Sequence, residues 1–230
     1  MKRLSIPTQL AILVGGLIFA FSIAAFLQIR SSSDAIYKQR YELLRTEVET
    51  GMSVLQAFYE REKSGELTRE QAQKQAYALI TKMRFEPDGY FFAYDFDVVM
   101  VLHPNPKLVG VSSKGKPDSA GFAYRDEIVR VARAGGGYVE FLGPKPNVGQ
   151  NDYVFPKTSY NKVFEPWSIV LSTGLYTDDL AAEIRATTIK VLSAGLIILL
   201  FAVLVAYVII RGITRPLSAI HDALGAVADE

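Results

Sequence analysis

Two stretches of this chain carry no charge over lengths that match a lipid bilayer. Twenty-six consecutive uncharged residues separate Arg3 from Arg30, and twenty separate Lys190 from Arg211. A helix needs about 20 mostly apolar residues to cross the hydrocarbon core, so each run is long enough to span. The first, "LAILVGGLIFAFSIAAFL" from Leu10 to Leu27, follows Lys2 and Arg3 and so shares the outline of a cleaved export signal. Its apolar part is longer than the usual signal core, which favours a retained anchor. Positive charge flanks this run on both sides, with Lys2 and Arg3 before it and Arg30, Lys38 and Arg40 after it, so counting charges leaves the orientation open. The segment between the runs is long enough to be translocated regardless, and short ends inside with a large domain outside is the expected topology.

Composition removes several classes of function. A formal net charge of +1 does not suit a nucleic-acid binder held by phosphate contacts. With no cysteine there is no disulfide framework, thiol nucleophile or thiolate metal site. The two histidines, His103 and His221, stand far apart in the chain, which argues against an all-protein zinc site. No cofactor is called for.

Between the runs the pattern changes twice. Tyr37, Tyr41, Leu44, Val48, Leu55 and Phe58 recur at helical spacing from Ser31 to about Glu62. "TREQ" at Thr68–Gln71 has the spacing of a capping box and opens a second helix running to about Met83. Pro87 and Gly89 stop helical structure, and five β-rich segments follow. They are Gly89–Tyr94, Val98–His103, Tyr138–Leu142, Lys157–Phe164 and Ser168–Leu175. One helix, Phe122–Ala134, interrupts them and ends at Gly135 with Arg130 and Arg133 in its last turn. The loops Pro104–Gly121 and Gly143–Pro156 have a length that calls for a function or for motion. After Tyr176 the chain turns helical, with Asp178 and Asp179 favouring the first turn, and meets no breaker before the second run. Beyond it, Ile213, Leu217, Ile220, Leu224 and Val227 repeat as a coiled-coil seam, preferred over an interfacial helix because the polar face lacks basic residues.

The segment "DGYFFAYD" is unusual for a half-buried strand, because Tyr90, Phe92 and Tyr94 fall on one face and Phe91 and Ala93 on the other. Both faces are apolar. Together with "LHPNPKLVG", "GGGYVEFLGPKP", "PKTSYNKVFEPWSIVLSTGLYTDDL" and "RPLSAI", it resembles the single Cache sensor domain of bacterial transmembrane receptors, followed by the start of a HAMP linker. Methyl-accepting chemotaxis proteins are among such receptors. The resemblance implies an α+β fold: a long N-terminal helix packed on an antiparallel PAS-like sheet, flanked by two transmembrane helices. It assigns residues 1–30 to a cytoplasmic N-terminus and first span, and 31–187 to an extracytoplasmic sensor. Residues 188–210 become the second span and 211–230 the first, incomplete part of HAMP. Helices over one face of the sheet and loops with a ligand over the other would keep both faces dry.

The same resemblance implies a homodimer in the bacterial inner membrane, with the sensor in the periplasm and a cytoplasmic signalling module downstream of HAMP. The expected ligand is a small carboxylate such as acetate, propionate, pyruvate or lactate, and no nucleic acid is involved. A buried carboxylate needs charge-assisted donors. Within the matching motifs, Lys157 or Arg84 can supply the positive charge, and His103, Tyr90 and Tyr160 directional hydrogen bonds. Phe92, Tyr138, Phe141 and Trp167 can form apolar walls. Each has a plainer reading: His103 bonding a loop, Lys157 guarding a strand edge, Tyr90 and Tyr160 in a core, Arg84 capping a helix, Trp167 purely structural.

Motifs of catalysis are missing. "AGGGY" follows a helix and precedes a strand, the reverse of a phosphate-cradling loop. There is no G-x-S-x-G elbow. Asp95 and Asp97 sit in a turn, where carboxylates bond local backbone. A tethered enzyme therefore has little support, and a membrane-tethered adaptor that binds a protein partner is the stronger alternative to a receptor.

Overall fold

A computed structural model describes residues 6–85, 89–145, 154–209 and 211. The chain divides into two units, one of residues 36–182 and the other of residues 1–35 with 183–230.

In the first unit a five-stranded antiparallel sheet has the order β2-β1-β5-β4-β3. Its strands are β1 (Phe91–Asp95), β2 (Met100–Leu102), β3 (Gly137–Gly143), β4 (Phe155–Phe164) and β5 (Ile169–Tyr176). Three helices flank it: α1 (Ile6–Lys63, whose residues from 36 onward belong to this unit), α2 (Arg69–Ile80) and α3 (Tyr124–Arg133).

The sheet separates two cores. On one face Phe91 and Ala93 of β1 and Ile169 and Leu171 of β5 pack with Leu55 of α1 and with Ala72, Ala76 and Ile80 of α2. On the other, Phe92 and Tyr94 of β1 and Val170 of β5 pack with Ile128, Val129 and Ala132 of α3. The doubly apolar β1 is thus explained: each face of a central strand meets its own helical layer, so alternation of apolar and polar residues has no reason to persist. Gly51 of α1 permits the close approach of helix and sheet, since a Cβ there would stand 2.7 Å from Leu171 Cδ2.

Local signals account for the element ends. The Thr68 side chain accepts from the Gln71 amide while the Gln71 side chain accepts from the Thr68 amide, a complete capping box for α2. After α3, Gly135 and Gly136 turn the chain with φ of 116° and 92°, values that cost other residues strain, and β3 begins at once. In the β1–β2 turn, Asp95 Oδ1 accepts from the amides of Asp97 and Val99 at 2.9 and 2.8 Å, so its carboxylate serves the backbone. The β2 ladder is shorter than the apolar run Val98–His103 suggests because Val98 lies in the left-handed region at φ 62°. Its outer edge is occupied by the following loop, where the Met100 amide donates to Val111 O and the Gly110 amide to Met100 O. That pairing covers a sheet edge that would otherwise offer free backbone groups.

The second unit contains the start of α1 and most of α4 (Thr177–Ile209). Both helices are long and apolar enough to cross a membrane. Their large side chains face outward, with Phe19 69% and Ile197 68% exposed, an arrangement that suits lipid and not water. Gly195 admits the Phe21 ring, which any Cβ at that position would strike. The seam Ile213–Val227, the HAMP segment beyond Arg211 and His221 lie outside the described residues.

Candidate functional site

Lys157 sits on the α3-facing side of β4, directly opposite Tyr176 in the β4–β5 ladder. It is only 4% exposed. Its Nζ donates to Tyr90 Oη at 2.9 Å and to Tyr176 Oη at 3.5 Å. Three rings surround the ammonium, those of Tyr90 at 4.3 Å, Tyr176 at 4.7 Å and Phe92 at 5.7 Å. Among the described residues no carboxylate pairs with it. Aromatic faces and phenol oxygens attract a cation, yet they do not neutralise it.

Its field reaches two neighbours. Burial pushes the Tyr90 phenol up, but the Lys157 charge and the hydrogen bond from Lys157, with the neighbouring Tyr176 hydroxyl, pull it below its ordinary value. His103 is depressed from 6.5 to about 4, first by burial and then by the Lys157 charge. Its Nδ1 accepts from the Asn105 amide at 2.9 Å. A neutral imidazole that accepts at Nδ1 carries its hydrogen on Nε2, so the ring is held as a donor. Its edge meets the Tyr90 ring at 5.4 Å.

These groups border a cavity of about 80 Å³ between the sheet, α3 and the loop after β2. The space is small and suits a ligand of a few heavy atoms. Tyr94 and Met100 add apolar surface, and Tyr124 and Phe141 stack at 4.0 Å to close one side. The covering loop is tied down by Asp118, which accepts from the amides of Ala120, Phe122 and Leu142 at 2.9, 3.0 and 2.9 Å. Burial raises that carboxyl, and the three amides with Arg125 outweigh it and hold it low.

A larger groove of about 480 Å³ shares Phe141 and Lys157 with this cavity and is bordered as well by Tyr37, Tyr41, Asp118 and Glu140. Size does not make it the anion site. Its carboxylates repel an anion, while the Lys157 ammonium points to Tyr90 and Tyr176.

The structure brings together Tyr90, Phe92, His103, Phe141 and Lys157 around the small cavity. Four other residues named from the sequence lie elsewhere. Arg84 is exposed and donates to the carbonyls of Thr81 and Met83, closing the end of α2. Tyr138 and Tyr160 lie on the opposite face, because β-strand alternation separates them from Val139, Phe141 and Lys157. There Tyr138 stacks on Tyr41 and donates to Tyr41 O at 2.8 Å, and Tyr160 packs on Leu44 and Val48. Trp167 is in the α1–α2 core, its Nε1 donating to Glu62 at 2.7 Å. The sequence reading missed Tyr124 and Tyr176. Tyr124 shares a helical stripe with Ile128 and Ala132, and that spacing was a usable signal. Tyr176 follows only from the β4–β5 register.

Comparison with known proteins places the chain. Residues 36–190 match the family described as Single Cache domain 2, and the chain belongs to that family. It is 32% identical over 230 residues to the methyl-accepting chemotaxis protein McpP of Pseudomonas putida, covering 99% of this chain and 42% of McpP. It is 26% identical over 229 residues to the methyl-accepting chemotaxis protein CtpM of Pseudomonas aeruginosa, covering 94% of this chain and 40% of CtpM. The chain thus spans less than half the length of these curated relatives. The sensor histidine kinase MctS of Rhizobium johnstonii is 32% identical over 136 residues, covering 59% of this chain and 28% of MctS. Among solved structures, a Cache chemosensory domain described for carboxylic acid recognition superposes with a TM-score of 0.58 at 34% identity, covering 62% of this chain and 97% of that domain. A methyl-accepting chemotaxis protein from Vibrio parahaemolyticus gives a TM-score of 0.55 at 26% identity, covering 66% of this chain and 99% of that one. The chain carries a chemoreceptor-type Cache sensor domain.

Proposed function

We propose that this chain is the sensing and membrane-crossing part of an inner-membrane receptor that binds a small monocarboxylate and does not turn it over. In this reading residues 31–187 form the periplasmic sensor, the spans lie within 1–30 and 188–210, and 211–230 begin a HAMP linker. The receptor is a homodimer and signals to a cytoplasmic module. Relatives with chemoreceptor and histidine-kinase names support a sensor of this kind feeding different outputs.

The observation that carries the reading is Lys157, a buried ammonium with phenol partners and no carboxylate among the described residues. Removing such a charge from water costs several kcal/mol, and an anion of matching size offsets that cost. His103 and Tyr90 supply directional donors beside it, and the aromatic walls limit the ligand to a short chain. Arg125 also borders the cavity but faces the Asp118 carboxylate, so Lys157 is the cation left for the ligand, and a cavity of about 80 Å³ then favours acetate, propionate, pyruvate or lactate. Its neighbour's carboxylic acid recognition agrees with that choice.

The test is a thermal-shift titration of the purified chain with these four acids. A ligand at 100 times its Kd stabilises the folded state by about 2.7 kcal/mol, which is readily seen as a rise in Tm. No rise with any of the four would remove the proposed ligand class.

A further inference from the structure

The end of β5 carries a linkage that ligand binding alone does not require. Tyr176, its last residue, is buried, and its ring lies between two ammonium groups, with Lys157 at 4.7 Å and Lys145 at 5.2 Å. Its hydroxyl donates to Pro144 O at 2.6 Å and accepts from Lys157 Nζ at 3.5 Å. The residue after Pro144 then reaches forward to the first turn of α4: Lys145 pairs with Asp178 at 3.1 Å and with Asp179. Its side chain is only 15% exposed, so these pairs are less screened than ordinary surface pairs. Two neighbouring residues beyond β3 thus grip three positions across the β5–α4 junction.

A phenol has one proton to give. The Tyr176 hydroxyl can direct it to the Pro144 carbonyl or to an anion, and not to both. A carboxylate drawn to Lys157 arrives beside that proton and is the stronger acceptor, since charge-assisted hydrogen bonds exceed neutral ones.

We propose that Tyr176 and Lys145 form a brace holding the first turn of α4 against the end of β3, and that an anion on Lys157 loosens it by competing with Pro144 for the Tyr176 hydroxyl. The brace stands on the contacts above. Only its release rests on the carboxylate reading. Tyr176 is a positioning residue here, acting on α4 through Pro144 and Lys145.

Amide hydrogen exchange on the full chain in lipid nanodiscs separates the two parts. Without ligand, Lys145→Gln and the double variant Asp178→Asn with Asp179→Asn should each speed exchange at residues 181–186 by about tenfold. Combining all three should add nothing, and β1 should exchange as in the wild type. Unchanged exchange at 181–186 in both variants overturns the brace. With sodium acetate against sodium chloride at equal ionic strength, the wild type should exchange faster at the same amides. Tyr176→Phe should bind acetate more weakly by calorimetry and, at acetate concentrations that saturate it, exchange equally with and without the ligand. An acetate response that survives Tyr176→Phe overturns the release step. If acetate does not bind the wild type, the acetate reading and the release step fall together, while the ligand-free comparison still decides the brace.

Discussion

Lys157 reaches its phenol partners by lying across Gly174: a Cβ on Gly174 would stand 2.9 Å from Lys157 Cε and 2.8 Å from Thr158 O. The glycine is needed for space, and any side chain there would lift the lysine stem or push the neighbouring strand. Gly174→Ala should weaken carboxylate binding at least about tenfold and cost about 1–3 kcal/mol of stability through overpacking. Calorimetric titration and melting curves measure both effects. Wild-type affinity in that variant would show that the stem does not depend on the glycine.

The same lysine predicts opposite signs for binding and stability. Lys157→Met keeps most of the stem and removes a charge that no carboxylate offsets among the described residues. Ligand binding should be lost, and the ligand-free protein should melt higher, because replacing a buried ionic group by an apolar one of similar volume is often stabilising. A lower melting temperature would mean that the aromatic box contributes more than the desolvation it imposes.

His103 makes stability depend on pH in a defined window. Its native value of about 4 lies below the ordinary 6.5, so the unfolded chain takes up the proton first as pH falls. The histidine's contribution is complete above pH 6.5, declines as pH drops towards 4, and changes no further below that. The full loss is up to about 3 kcal/mol at 1.36 kcal/mol per unit. Carboxyl groups also take up protons in this range, so the measurement is the stability of wild type minus that of His103→Gln, which should be flat above pH 6.5 and fall steadily below it. A constant difference from pH 7 to 4 would contradict the depressed value.

Residues outside the cavity should be silent in binding. Arg84→Ala, Tyr138→Phe and Tyr160→Phe should leave ligand affinity within about twofold, whereas Tyr90→Phe, which removes a hydroxyl at 2.9 Å from Lys157, should cost about 1 kcal/mol or more. A large loss in Arg84→Ala would restore that guanidinium as the anion's partner.

Much of the architecture was legible because it rests on local chemistry. Thr68 and Gln71 announce a capped helix, the glycines after Arg133 announce its end, and the two greasy faces of "YFFAY" announce a strand covered on both sides. The candidate site was legible only in part. Lys157, Tyr90 and His103 could be chosen by residue type, but which face of the sheet each occupies depends on register, and a shift of one residue exchanges the faces. Tyr138 and Tyr160 were grouped with Phe141 and Lys157 for that reason, although strand parity alone separates them. Tyr176 stayed hidden because its role comes from the pairing with Lys157, which is long-range information.

The strand order has a mechanical consequence. β5, which runs into α4 without an intervening loop, is the central strand, laddered to β1 on one side and to β4 on the other. A tug along it loads two rows of backbone hydrogen bonds in shear at the same moment, whereas an edge strand could unzip bond by bond. Traction from the helix is therefore shared by the sheet as a whole, and the last strand behaves as a keel, firmly seated along its length, with its only natural yielding point at the end.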